Sequence, residues 1–145
     1  MNEAKQAIQR LMNEYCYRID QGDLDGFSDL FEHASFGVIG DPDGPCTGSE
    51  EVREFLQKVI LYDGIPHTKH VLSNVQIDVA ENNREAVAQS YVTVFQALPD
   101  FPMQAIFGGH YHDRFVKSET GWCFTNREIS ADLLGDLSQH RSDMA

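Results

Sequence analysis

The chain has 145 residues, 41% of them hydrophobic, with 23 acidic against 11 basic side chains and a formal net charge of −12. That length can bury one sizeable core without disulfides or structural metals, while the acidic excess argues against a surface that displaces counterions from nucleic acid. No apolar run approaches the roughly 20 residues that span a bilayer, and the first ten residues are polar where a secretory leader needs an apolar stretch. Cys16, Cys46 and Cys123 are odd in number and form no paired motif, so a reducing, cytoplasmic setting is expected, with no membrane and no nucleic-acid partner.

Apolar residues at spacings of three and four, Ala4, Ala7, Ile8, Leu11, Met12, Tyr15, Cys16 and Ile19, predict a first helix of about five turns. Gly22 supplies a left-handed stop, and Asp23 caps a shorter second helix carrying Leu24, Phe27, Leu30 and Phe31. A short strand over 35–39 leads into a loop dense in Gly, Pro and Asp. Thr47 with Glu50 matches a capping box, and Val52, Phe55, Leu56, Val59 and Ile60 extend a third helix from it. Strands are predicted over 67–79, 86–98, 104–116 and 122–130, with turns at 81–84 and through Pro99 and Pro102. Apolar residues on both faces of 86–97 imply that both faces are covered, one packed on helices and the other lining a cavity. Three helices followed by a long antiparallel sheet is an α+β layout. Gly108-Gly109 marks a bulge or bend within it. One domain is expected over 1–140, with a disordered tail over 141–145.

Asp20 continues the row Ile8, Met12, Cys16, so its carboxylate points to the apolar side of the first helix, near the C-terminal end where the macrodipole opposes negative charge. Either a partner pairs with it or the helix frays and solvates it. Asp23 and Asp25 have structural reasons to be acidic, at a cap and in a first turn. His70 falls by strand alternation with Leu72 and Asn74, opposite Val71, Val75, Ile77 and Val79. It is either a surface histidine or a general base facing a cavity. His110 and His112 share a face and could begin a metal site, but no third ligand stands at a recognisable spacing. Arg127, which by parity shares a face with Cys123 and Thr125, makes a surface ion pair, or else serves in a cavity as an anion clamp or an electrophile for a carbonyl oxygen. No nucleophile elbow, phosphate loop or dinucleotide fingerprint is present, so neither a cofactor nor a metal is expected.

Several ordered pieces carry a family likeness: Tyr15-x4-Asp20-x-Gly22-Asp23 with Leu30-Phe31, Gly48 opening a helix, and Thr68-Lys69-His70-Val71-x2-Asn74. They continue with Gly109-x-Tyr111-x-Asp113-Arg114-Phe115, Gly121-Trp122-x-Phe124-x2-Arg127 and Gly135-Asp136-Leu137-Ser138. The set resembles the SnoaL-like branch of the nuclear transport factor 2-like superfamily. The resemblance implies a cone of three helices on a strongly curved, mostly antiparallel mixed sheet enclosing an apolar pocket, and a homo-oligomer. Members include polyketide cyclases, dehydratases, a dehydrochlorinase, ketosteroid isomerases and non-catalytic dioxygenase subunits, so the fold leaves the function open. The dehydratase-like pairing of a first-helix aspartate with a sheet histidine falls on Asp20 and His70, and pocket positions fall on Tyr15 and Arg127. A second histidine known in some dehydratases has no match, since Thr93 to Phe95 stand where it would lie. The implied activity is a cofactor-independent lyase or isomerase acting on a small apolar, cyclic substrate. The alternatives are a non-catalytic binder of a small hydrophobic ligand and a structural subunit.

Overall fold

A computed structural model describes residues 2–144. Helix α1 runs over Glu3–Asp20, its first turn capped by Asn2, whose side chain accepts from the Ala4 N–H at 2.8 Å. Its buried stripe is Ala4, Ile8, Met12, Tyr15, Cys16 and Ile19, the three-and-four pattern of the sequence. The chain turns at Gly22, with φ of 76°, into α2 over Leu24–Asp29, which Asp23 caps by accepting from the Gly26 N–H at 2.9 Å. A Cβ on Gly22 would stand 1.9 Å from the Gly64 carbonyl oxygen, so the corner is seated directly on that loop's backbone.

Strands β1 (Ser35–Val38) and β2 (Cys46–Thr47) precede α3 (Gly48–Phe55). The expected capping box differs in detail. Thr47 makes no side-chain cap, and its N–H donates instead to the Glu51 carboxylate at 3.0 Å. The third helix also stops earlier than its apolar spacing suggests, passing through a 3-10 turn over Leu56–Lys58. Val59 bridges Arg141 and the Ile60 N–H donates to the His140 carbonyl at 2.9 Å, so pairing with a distant segment peels the chain off the helix.

The sheet is completed by β3 (Thr68–Val79), β4 (Glu85–Leu98), β5 (Phe101–Ser118) and β6 (Gly121–Leu134). Its strand order is β2-β1-β6-β5-β4-β3, with β1 parallel to β6 and every other pair antiparallel. Pro102 lies inside β5, and the preceding turn tightens to Pro99 and Asp100. Five register shifts interrupt the sheet, and two of them decide which way the candidate residues face. Between Ser73 and Gln76 the register of β3 shifts around Asn74, with φ of 55°. Thr68, His70 and Leu72 face inward before it and Val75, Ile77 and Val79 face inward after it, while Val71 is 45% exposed. In β6 the register shifts between the partners of Arg114 and Phe115, which places Arg127 with buried Phe124 rather than with Cys123 and Thr125. The Gly108-Gly109 pair sits at another of these shifts.

The inner face of β4, Ala86, Ala88, Ser90, Val92, Val94 and Gln96, packs into the core. Its outer face is not covered by this chain, since Val87 and Tyr91 remain 40% and 50% exposed. Phe27, Phe31 and Phe36 join Tyr15 and Phe124 in one aromatic cluster between helices and sheet. Residues 141–144, expected as a disordered tail, form a bridge at Arg141 and a 3-10 turn over Ser142–Met144; Ala145 lies outside the described residues. Among the described residues no helix is long and apolar enough to cross a membrane.

Candidate active site

The last turn of α1 and the first residues of β3 meet at Asp20. One carboxylate oxygen, Oδ1, accepts from the Thr68 hydroxyl and from His70 Nδ1, each at 2.7 Å, and Oδ2 accepts from the His70 backbone N–H at 2.8 Å. The side chains of His70 and Asp20 are only 9% and 10% exposed. Three donors thus meet a carboxylate that burial and the helix C-terminus both oppose. Burial works to raise the Asp20 pKa, but the hydrogen bonds and charge of His70, helped by Thr68, prevail and hold it below the usual carboxylate value. An ionised Asp20 fixes the imidazole proton on Nδ1, so Nε2 keeps its lone pair for another proton.

His70 stands in the wall of a cavity of about 120 Å³. Ile19, Phe36, Phe55, Val94, Phe107 and Ile129 supply apolar lining, while Tyr15, Tyr111, His140 and Arg141 add polar groups. A wider cleft between α1 and residues 75–78 is lined by Lys5, Gln6, Gln9, Arg10 and Asn13, solvated side chains without a base held by a partner. The smaller cavity is therefore where a histidine held by a carboxylate meets an apolar lining.

Tyr15 lines this cavity, and burial, partly opposed by the Arg127 charge, pushes its hydroxyl up to about 12. Burial raises Tyr111 as well. Both phenols stay protonated at neutral pH and can donate to an oxygen. Arg127 has a different place from the substrate-binding one expected. It is fully buried, does not line the cavity, and grips Asp113 through Nε–Oδ1 at 2.7 Å and Nη2–Oδ2 at 2.8 Å. Its guanidinium carbon lies 3.8 Å from the Tyr111 ring centre and 4.3 Å from that of Tyr15. Burial disfavours its charge, yet Asp113 more than compensates and keeps it protonated. Arg127 thus supports the two tyrosines from behind.

His110 and His112 stack at 4.1 Å on the outer face, where Gln89 lies 3.1 Å from His110. Among the described residues no three His, Cys, Asp or Glu side chains cluster as metal ligands. Sequence reasoning missed His140. No apolar periodicity marks residues 135–141, and this histidine stood only as the last residue before an expected tail. In the fold it is 8% exposed and lines the cavity, its ring centre 6.2 Å from that of His70.

Solved structures share this architecture. Over 89% of this chain and 82% of the other, it matches an NTF2-like protein with a cystatin-like fold from Novosphingobium aromaticivorans, with a TM-score of 0.74 and 19% identity. A second protein from that organism, provisionally assigned as a scytalone dehydratase, matches at 26% identity and a TM-score of 0.71, over 89% of this chain and 84% of that one. ActVI-ORFA from Streptomyces coelicolor shares the fold at 16% identity, with a TM-score of 0.71 over 88% and 97% of the two chains. No curated protein sequence matches the chain. The sequence profile of the SnoaL-like domain matches residues 2–128, and the chain belongs to the SnoaL-like family.

Proposed function

We propose that this protein is a cofactor-independent lyase or isomerase acting on a small, largely apolar cyclic substrate, with His70 as general base and Asp20 as its partner. The observation that carries this reading is the 2.7 Å contact between His70 Nδ1 and Asp20 Oδ1 at the wall of a largely apolar cavity. In the proposed step His70 Nε2 takes a proton from a carbon beside an activating carbonyl. The electron pair of that C–H bond forms the enolate, and Asp20 stabilises the imidazolium. Loss of hydroxide or another leaving group from the next carbon completes an elimination. Return of the proton to a different carbon completes an isomerisation. Tyr15 or Tyr111 donates to the oxygen on which charge develops, in a setting of low dielectric where that contact is strong. The related fold provisionally assigned as a scytalone dehydratase supports an elimination.

Turnover of cyclic hydroxy ketones, followed by the absorbance of the conjugated product, tests the reading. His70→Ala and Asp20→Asn should each lower kcat by roughly 10²- to 10⁴-fold while the proteins stay folded. Equal turnover in all three proteins would overturn it, leaving a cavity that binds without reacting.

A further inference from the structure

The chain leaves β6 at Leu134 and returns along the cavity, which Leu137, His140 and Arg141 help to line, and a set of polar contacts holds this segment in place. Gln96, only 1% exposed, donates from Nε2 to the carbonyls of Pro66 and Gln139, each at 3.1 Å. The Tyr62 hydroxyl donates to the same Gln139 carbonyl at 2.6 Å. The next residue, His140, receives the Ile60 N–H at its carbonyl at 2.9 Å, and Arg141 bridges Val59. A buried glutamine and a tyrosine hydroxyl spent on one carbonyl fix the backbone on which His140 stands.

The His140 ring so placed is more than nine-tenths buried, and its Nδ1 has no hydrogen-bond partner among the described residues. Such an orphaned buried nitrogen is costly and calls for an explanation. The His140 ring lines the same cavity as the His70 ring, edge to face at 6.2 Å between centres. Two imidazoles at that separation can touch two atoms of one small molecule. The cavity limits what that molecule is. At about 120 Å³ it is slightly smaller than an apolar cavity of roughly 150 Å³ that accepts benzene, so its volume matches one six-membered ring.

We propose that His140 is a second ligand-contacting residue, which hydrogen-bonds an oxygen of a single-ring ligand while another edge of that ring faces His70. This rests on the reading above only for the role of His70; the oxygen contact and the ring size stand without it. Burial, with the nearby charges of His70 and Arg141, lowers the His140 pKa to about 4, so the ring meets that oxygen uncharged. A neutral imidazole suits a hydroxyl or a carbonyl, and gives no advantage to a carboxylate or phosphate.

Binding of phenol, toluene and 2-naphthol, measured by calorimetry, tests the proposal without any turnover. Phenol and toluene match in size and differ in the hydroxyl. In the wild-type protein phenol should bind roughly tenfold more tightly than toluene, the margin of one hydrogen bond, and 2-naphthol should bind more weakly than phenol. His140→Leu should bring the phenol-to-toluene ratio to about one, whereas His140→Gln, which keeps a polar side chain, should retain a preference. His70→Leu should also retain it, so loss of the catalytic reading and loss of this one are separable. An unchanged ratio in His140→Leu, no binding by either single ring, or 2-naphthol binding as tightly as phenol would each overturn the proposal. Should His140→Leu not fold, spectra of the wild-type protein with ¹⁵N-labelled histidine read the same contact. The His140 ring nitrogens should shift with phenol and not with toluene, and nitrogens that stay in place would overturn it.

Discussion

A carboxylate at the C-terminal end of a helix is a poor structural choice, and Asp20 is tolerable only because Thr68 and His70 bring three donors to it. The same residues show how far a sequence reveals a site. The awkward placement of Asp20 is legible, because the row Ile8, Met12, Cys16 directs it inward. The availability of His70 is legible from its place at a strand entrance. His140 is not, since its burial follows from contacts with Gln96, Tyr62 and Ile60, far away in the chain. Its burial has a measurable consequence for stability. Unfolded, His140 takes a proton near pH 6.5; folded, only near pH 4. The unfolded chain therefore binds the extra proton between those values. The contribution is fully present above pH 6.5 and is lost as the pH falls toward 4, up to roughly 3 kcal/mol. Urea unfolding at pH 7 and pH 4 should show His140→Gln losing less stability on acidification than the wild-type protein by about this amount. Equal losses would show that the imidazole is not buried from protons.

At the scale of elements, helices and turns follow local chemistry and the sheet does not. The α1 stripe, the Asp23 cap and the left-handed Gly22 are local features, and each stands where spacing and residue type place it. Alternation fails at Asn74 and Thr125, where bulges depend on which strand lies alongside, and so Val71 and Arg127 exchange the faces expected for them. The third helix shortens because residues 59 and 60 pair with residues 140 and 141. Gly22 links these levels, because it seats the end of α1, and with it Asp20, on the Gly64 backbone. Gly22→Ala brings a Cβ to 1.9 Å from the Gly64 oxygen at a φ of 76°, so backbone must move. We expect a destabilisation of about 2 kcal/mol or more, seen as a lower melting temperature, together with lower turnover from a displaced Asp20. A melting temperature within a degree of wild type would mean that the corner yields freely.

At the scale of the whole molecule, a net charge of −12 opposes association, yet one stretch of surface lacks that charge. Gln89, Tyr91 and Thr93 on β4 lie beside His112, His110 and Gly108 on β5, a strip of the outer face without a carboxylate. Tyr91 is 50% exposed and packs its ring against His110 at 5.2 Å, with exposed Val87 on the same face. A strip that exposes Tyr91 and carries no carboxylate of its own suits a second copy of itself, because a two-fold axis sets each strip on its equal. We therefore expect a native mass above one chain by light scattering. Tyr91→Glu places a carboxylate against its own image across such an axis, and like charges at close range should shift the protein to monomer with its melting temperature little changed. The cavity lies on the opposite side of the sheet, so phenol binding should survive in that monomer. A wild-type mass of one chain at all concentrations would show that the outer face is content in water.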